Sequence, residues 1–127
     1  MTRSPQRLAD YLQHIATAVQ RISDYTDDLD ETGFLTQALV QDAVIRNLEV
    51  IGEASRNIAR QFPDFPAQHP ALRLQSAYEM RNALSHGYFQ VDLGIVWRTV
   101  RRELPTLKAQ VERILAELNN GDESAQS

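Results

Sequence analysis

The chain has 127 residues, a formal net charge of −4 and no cysteine. This length predicts one domain that buries a core without a disulfide or a structural metal, and the missing cysteines exclude thiolate metal sites. The net negative charge gives the molecule no overall attraction to nucleic acid, and no DNA partner is expected. No apolar run reaches the roughly 18 residues of a membrane span, and no signal peptide is recognisable, so we expect a soluble cytoplasmic protein without a membrane partner.

The first predicted helix runs from about Pro5 to Asp28. Ser4 is a favourable N-cap and Pro5 suits the first helical position. His14 lies off the apolar side of this helix and is expected to be exposed. Apolar residues at spacings of three and four form one continuous stripe: Leu8, Tyr11, Leu12, Ile15, Val19, Ile22, Tyr25 and Leu29.

A second helix is predicted from about Phe34 to Gln61. Gly33 and the acidic residues before it are predicted to separate this helix from the first. Its apolar side is unusually broad, which is typical of a helix that is central in a bundle or faces a second chain. The residues 62–70 contain three prolines and are predicted to form a loop, because proline is excluded from helix interiors. The apolar positions of the second helix are Phe34, Leu35, Leu39, Val40, Val44, Ile45, Leu48, Val50, Ile51, Ala54, Ile58 and Phe62.

Two further helices complete the chain. A shorter one is predicted from Pro70 or Ala71 to Ser85, with Gly87 free to end it in the left-handed conformation. The last helix is predicted from Asp92, its N-cap, to Leu118. Pro105 lies inside it and predicts a kink or a short break.

These elements predict an all-α fold, an antiparallel four-helix bundle with one shorter helix. The domain is expected to occupy residues 1–118, and the polar residues 119–127 are expected to form a disordered tail. Seven side chains are expected in the core: Leu12, Ile15, Ile22, Ile45, Leu48, Val100 and Leu107.

Charge is unevenly distributed along the chain. An acidic stretch precedes the second helix, and the segment 73–102 carries five arginines against two acids. Either cluster is compatible with an ordinary solvated face. The arginines are Arg73, Arg81, Arg98, Arg101 and Arg102.

Residues suited to catalysis concentrate between positions 80 and 89. Arg81 offers a permanent forked cation that suits phosphate, and His86 titrates near neutral pH and can transfer protons. Asn82 lies four residues before His86 and can orient its ring. The three histidines of the chain are far apart and share no metal-like spacing, so no metal site is expected.

Spacing alone leaves two interpretations of this segment open. Arg81 and His86 are about 140° apart around an ideal helix, so they converge only if the helix ends near His86 or if two copies of the segment meet. The competing interpretation is an ordinary helix C-terminus. There His86 stabilises the helix dipole, Gly87 caps the helix, and Tyr88 packs on the core.

The segment resembles the signature of HEPN domains, an Arg followed after four residues by His, and more specifically that of the HepT-like toxins, in which a Tyr follows two residues later. Arg81, His86 and Tyr88 match this signature in order. The resemblance covers most of the chain. Residues 47–54 are similar to the family's second helix, and residues 91–97 are similar to the start of its last helix.

The resemblance implies a homodimeric ribonuclease toxin that needs neither metal nor cofactor and leaves a 2′,3′-cyclic phosphate on its RNA substrate. Arg81 and His86 would be catalytic and Asn82 would support them. The implied partner is a nucleotidyltransferase antitoxin, which would silence the toxin by transferring AMP to Tyr88, as in a type VII-like toxin–antitoxin pair. The alternative is a non-catalytic helical partner that helps a nucleotidyltransferase bind its substrate.

Overall fold

The computed structural model describes residues 5–72, 74, 77, 79–80 and 92–126. No strand is present in these ranges, and the predicted all-α bundle is confirmed. None of the helices found there combines the length and the apolar character that a membrane span needs. The elements are α1 (Pro5–Thr26), α2 (Glu31–Leu35), α3 (Ala38–Gln61), α4 (Phe65–Gln68), α5 (Leu93–Arg98), a π-helical turn (Thr99–Glu103) and α6 (Leu104–Gln126).

Helix α1 is the centre of the described bundle, because it packs against both α3 and α6. Its predicted stripe is largely correct, and His14 is exposed as expected. Tyr25 is an error of the prediction: its side chain is 41% exposed, and Thr26 is buried in its place. The Thr26 hydroxyl donates to the Ile22 carbonyl at 2.7 Å, which satisfies a polar group inside the core.

Five of the seven predicted core residues are buried. Ile45 and Leu107 are only partly buried, at the edge of the core. The five buried residues are Leu12, Ile15, Ile22, Leu48 and Val100.

The predicted second helix is divided into α2 and α3. The interruption follows Leu35, and the predicted interruption at Gly33 is wrong. Gly33 lies inside the short helix α2, because Asp30 accepts a hydrogen bond from the Gly33 amide at 2.7 Å and so starts a helix there. The Thr36 hydroxyl donates to the Thr32 carbonyl at 3.0 Å, and the Gln41 side chain donates to the Phe34 carbonyl at 2.9 Å. These bonds satisfy carbonyls that a helix end leaves open, so the chain turns after Leu35.

The predicted loop over residues 62–70 contains the short helix α4. Pro66 lies in its first turn, where a missing amide hydrogen costs nothing. Phe65 is buried and its ring centroid lies 4.5 Å from that of His69. A single turn of helix is therefore stabilised by the burial of one aromatic side chain.

The predicted interruption of the last helix takes the form of a π-helical turn. The Leu104 amide donates to the Thr99 carbonyl, five residues earlier. This wider turn directly precedes Pro105, which has no amide hydrogen and would crowd a carbonyl four residues before it in a regular helix. The backbone thus stays helical through the proline. Helix α6 continues to Gln126, past the predicted end at Leu118, and the disorder expected of residues 119–127 stays a prediction.

Candidate functional site

The four residues predicted to form the site are Arg81, Asn82, His86 and Tyr88, and all of them lie outside the described residues. The structure describes both flanks of the segment that carries them. Met80 precedes the segment in a helical backbone, and Asp92 follows it. The described residues on these two sides form the known surroundings of the site.

The flank before the segment borders an open groove of about 210 Å³, which we call the Met80 groove. Its floor is apolar and is formed where α3, the residues around Met80 and α6 meet. Leu48 and Leu104 are buried beneath it. Leu107 lines the open groove, which explains why it is only partly buried and not a full core residue. The described apolar residues that line the groove are Leu48, Ile51, Ala71, Ala77, Met80, Leu104 and Leu107.

Four polar residues form the rim of the Met80 groove, and all come from the π-helical turn and α6. They are Thr99, Glu103, Thr106 and Gln110. The Thr99 hydroxyl donates to the Ile95 carbonyl at 2.9 Å. Glu103 and Thr106 are exposed, and Gln110 is half-buried. No described lining residue is basic, so this groove offers hydrogen-bond acceptors over an apolar floor and no described cation for a phosphate group.

The flank after the segment is fixed by a helix cap. The Asp92 carboxylate accepts hydrogen bonds from the Gly94 amide at 2.9 Å and the Ile95 amide at 3.2 Å. Asp92 is thus the N-cap of α5, as predicted. A Cβ atom on Gly94 would lie 3.1 Å from the Asp92 carboxylate, so a larger residue would push against the cap. The cap sets the point at which the chain returns to the bundle.

Helix α5 is held in place by an aromatic and cationic cluster, which we call the Trp97 cluster. Phe34 is fully buried, and its ring stacks on that of Trp97 with a centroid distance of 5.3 Å. The Arg101 guanidinium lies 4.4 Å from the Trp97 ring centroid on the same helix. The same side chain donates to the Thr26 carbonyl at 3.2 Å and also to the Leu29 carbonyl. The cluster therefore joins α2, α5, the π-helical turn and the end of α1.

Arg101 belongs to the basic segment found in the sequence, but the structure uses it to hold the fold together. The Thr26 carbonyl lies at the C-terminal end of α1, where the helix dipole is negative, and it also accepts a hydrogen bond from the Leu29 amide at 3.0 Å. The Leu29 carbonyl belongs to the segment that follows α1. Arg98 and Arg102 are exposed on either side of it. Arg73 and Arg81 lie outside the described residues. At least one of the five arginines of the basic segment therefore binds the backbone of its own chain.

A second depression lies between α1 and α3 and collects charged residues. Its lining includes Tyr11, His14, Glu49 and Glu53. Glu49 forms an ion pair with Arg46 at 3.8 Å, on an exposed part of the helix. In the part of the chain that the structure describes, no three histidine, aspartate or glutamate side chains are placed to hold a metal ion.

The sequence alone did not reveal the Met80 groove or the Trp97 cluster. The rim of the groove does have a signal, because Thr99, Glu103, Thr106 and Gln110 recur every three or four residues and so share a helix face. The Trp97 cluster has none, because Phe34 and Arg101 are far apart in the chain.

The sequence of the chain is similar to known proteins of one family. The family model for HepT-like ribonucleases matches residues 15–114. A probable ribonuclease HepT of Thermococcus cleftensis is 41% identical over 105 residues, which is 83% of this chain and 93% of the relative. A Methanocaldococcus jannaschii protein named as a gamma-glutamylcyclotransferase and candidate RNase is 38% identical over 109 residues, or 86% of this chain, but this match spans only 48% of that relative. No solved structure gives a significant match.

Proposed function

Because the chain belongs to the HepT-like ribonuclease family, whose model covers residues 15–114, we propose that it is an RNA endonuclease of the HEPN type. One observation carries the proposal: the matched range contains Arg81, His86 and Tyr88 in the order and spacing of the family signature. The name of the Thermococcus cleftensis relative, which this chain matches over 93% of its length, supports the same activity.

The proposed reaction is an attack of the RNA 2′-hydroxyl on the neighbouring phosphorus. His86 in its neutral form takes the proton from the 2′-oxygen, and the new oxygen–phosphorus bond closes a 2′,3′-cyclic phosphate. The bond between phosphorus and the 5′-oxygen breaks, and that oxygen leaves with a proton from a general acid. Arg81 binds the phosphate and the negative charge that develops on it, and Asn82 orients His86.

We propose that this reaction needs no metal ion. The segment 81–91 contains an arginine and a histidine but no aspartate or glutamate, which are the usual ligands of a catalytic magnesium ion. The charge stabilisation that a metal would provide falls instead to Arg81, whose guanidinium is permanently charged.

We also propose a homodimer in which the two motif segments line one cleft. This arrangement removes the angular separation of Arg81 and His86 on a single helix, because each cation can face a histidine of the other copy. An exposed apolar surface supports a contact of this kind: Leu39 is 83% exposed and Leu35 is 44% exposed at the junction of α2 and α3. Light scattering should give twice the chain mass of 14.4 kDa at micromolar concentration.

The proposed partner is a nucleotidyltransferase antitoxin that transfers AMP to Tyr88. The adenylyl group would add a negative charge and a bulky nucleotide two residues from His86. Its phosphate would compete with the RNA phosphate for Arg81, so the modification would block the cleft both by its size and by its charge.

The deciding experiment is cleavage of a defined RNA by the isolated chain. The wild type should release fragments with 2′,3′-cyclic phosphate ends, seen by mass spectrometry, and EDTA should not slow the reaction. His86→Ala and Arg81→Ala should lose the activity and keep the melting temperature. The matched controls are His14→Ala and Arg113→Ala, because both side chains are exposed and lie far from the motif in sequence.

Two results would count against this proposal. Complete inhibition by EDTA would mean that a metal ion takes part. A chain that fails to cut RNA, while it increases the affinity of a nucleotidyltransferase for its substrate, would favour the non-catalytic alternative.

A further inference from the structure

We propose that the Met80 groove receives a guanine base of the RNA substrate, and that Glu103 determines this preference. The substrate class rests on the ribonuclease function proposed above. The site itself rests on the size, the lining and the position of the groove, all of which belong to described residues.

The size of the groove limits its occupant. Its volume of about 210 Å³ lies below the roughly 300–1,000 Å³ of pockets that take drug-sized ligands. The floor is apolar, with Leu104 and Leu107 from α6 and Met80 from a separate part of the chain. A flat ring system that is apolar on its faces and polar at its edge fits such a groove. Single-stranded RNA offers bases of this kind, because bases in loops and ends are free to leave the stack.

The rim of the groove provides a carboxylate acceptor, Glu103. Among the described residues, no side-chain hydrogen bond or ion pair involves the Glu103 carboxylate, although it borders the groove. An ionised carboxylate only accepts hydrogen bonds, so the group that meets it must present donors. It also repels the phosphate backbone, so an RNA strand would approach Glu103 with a base rather than with a phosphate.

Guanine is the base whose edge matches a carboxylate. Its N1–H and N2–H donors are adjacent and parallel, so they can bind both carboxylate oxygens at once. Adenine and cytosine place an acceptor beside their amino group, and uracil has one N–H between two carbonyls. Gln110 lies on the same rim, seven residues after Glu103, and its amide can donate to the guanine O6 atom.

The groove is also adjacent in the chain to the proposed phosphate ligand. Met80 lines the groove and is joined by a peptide bond to Arg81, the proposed phosphate ligand. A base in the groove and a phosphate on Arg81 would therefore belong to the same or to neighbouring nucleotides. Glu103 would then determine which base precedes or follows the cut without taking part in the chemistry.

The test measures binding of RNA that cannot be cut. Four fluorescent pentanucleotides carry 2′-fluoro sugars throughout, uridine at the outer positions and guanine, adenine, cytosine or uracil at the centre. We expect the wild type to bind the guanine oligonucleotide about tenfold more tightly than the others, which is the scale of one good bidentate contact to a base. Glu103→Gln should reduce this preference to less than about twofold. Glu117→Gln is the matched control, because Glu117 is exposed on the adjoining helix α6 and does not line the groove.

A second variant fills the groove. Thr106 is exposed on the rim, and Thr106→Trp should weaken binding of the guanine oligonucleotide while the helical circular dichroism stays unchanged. Equal binding of all four oligonucleotides by the wild type, or an unchanged preference in Glu103→Gln, would overturn the proposal. So would a Thr106→Trp variant that keeps the guanine preference but loses its oligomeric state, because the occupant of the groove would then be a second copy of the chain.

Failure of this inference is distinguishable from failure of the ribonuclease function. The oligonucleotides lack a 2′-hydroxyl, so the measured preference does not depend on catalysis. A wild type that prefers guanine but cuts no RNA would refute the ribonuclease and keep the base site. A wild type that cuts RNA and binds all four bases equally would refute the base site alone.

Discussion

Replacing Arg101 by methionine tests whether this arginine holds the fold together. Methionine keeps most of the apolar stem of the side chain and removes only the guanidinium. The substitution therefore deletes the hydrogen bonds to the Thr26 and Leu29 carbonyls and the contact with the Trp97 ring. The Thr26 carbonyl then keeps its hydrogen bond from the Leu29 amide, whereas the Leu29 carbonyl loses the hydrogen bond from Arg101.

The expected loss is about 2 kcal/mol in the free energy of unfolding. A hydrogen bond from a charged donor contributes about 1.5–3 kcal/mol, but both bonds here come from the same Nη2 atom of an exposed residue, so we count one of them at the lower limit. The cation–π contact adds about 0.5–1 kcal/mol at an exposed position. For a domain of this size, the loss should lower the melting temperature by about 8 °C.

Urea denaturation and thermal unfolding of purified variants measure this loss. Arg102→Met is the matched control, because it removes the same group from the next residue, which is exposed and whose guanidinium makes no hydrogen bond to the described residues. It should change the stability by less than about 0.5 kcal/mol. Arg101→Lys should recover only part of the loss, since lysine lacks the planar fork. If Arg101→Met and Arg102→Met have the same stability, Arg101 does not hold the end of α1 and the reasoning is refuted.

Three further predictions follow from single contacts or from the motif. Phe34→Ala should lower the free energy of unfolding by about 3–5 kcal/mol because Phe34 is fully buried, whereas Tyr25→Ala, at a 41% exposed position, should change it by less than about 1 kcal/mol in the same urea titration. Asp92→Ala should lower the free energy of unfolding by about 1 kcal/mol, because α5 loses its N-cap, whereas Asp92→Asn should keep most of that stability. Thermal unfolding measures both. Tyr88→Phe should keep the nuclease activity and escape silencing by the antitoxin. Intact-mass spectrometry after co-expression should show added AMP on the wild type and on the control Tyr25→Phe only; modified Tyr88→Phe would exclude Tyr88 as the acceptor.

The family and the helical class could be predicted from the sequence because both depend on local patterns. Apolar residues at spacings of three and four identify a helix face in any context, and the buried stripe of α1 follows from them. Asp92 was identified as a cap because an aspartate before an apolar helix accepts the open amides of the first turn. The order of Arg81, His86 and Tyr88 identified the family without any knowledge of their positions in space.

The errors occurred where local signals compete. Glycine usually disfavours a helix interior, but the Asp30 carboxylate accepts a hydrogen bond from the Gly33 amide and so caps the start of α2. A Cβ atom at this position would lie 3.2 Å from the Leu29 side chain, so close packing favours a glycine inside the helix. Pro105 predicts an interruption, but its effect depends on whether the preceding turn can widen. Here it does, and one π-helical turn keeps the helix continuous.

The sequence by itself thus determined the helical class, most of the core, the family and the residues proposed for catalysis. Only the tertiary structure decided that Arg101 bonds to the end of α1, that Trp97 stacks on Phe34, and that Glu103 borders an apolar groove beside Met80. The physical reason is the range of the interactions. Helix periodicity and capping act between residues a few positions apart, whereas a groove or a long-range hydrogen bond exists only after the packing of separate helices has brought distant residues together.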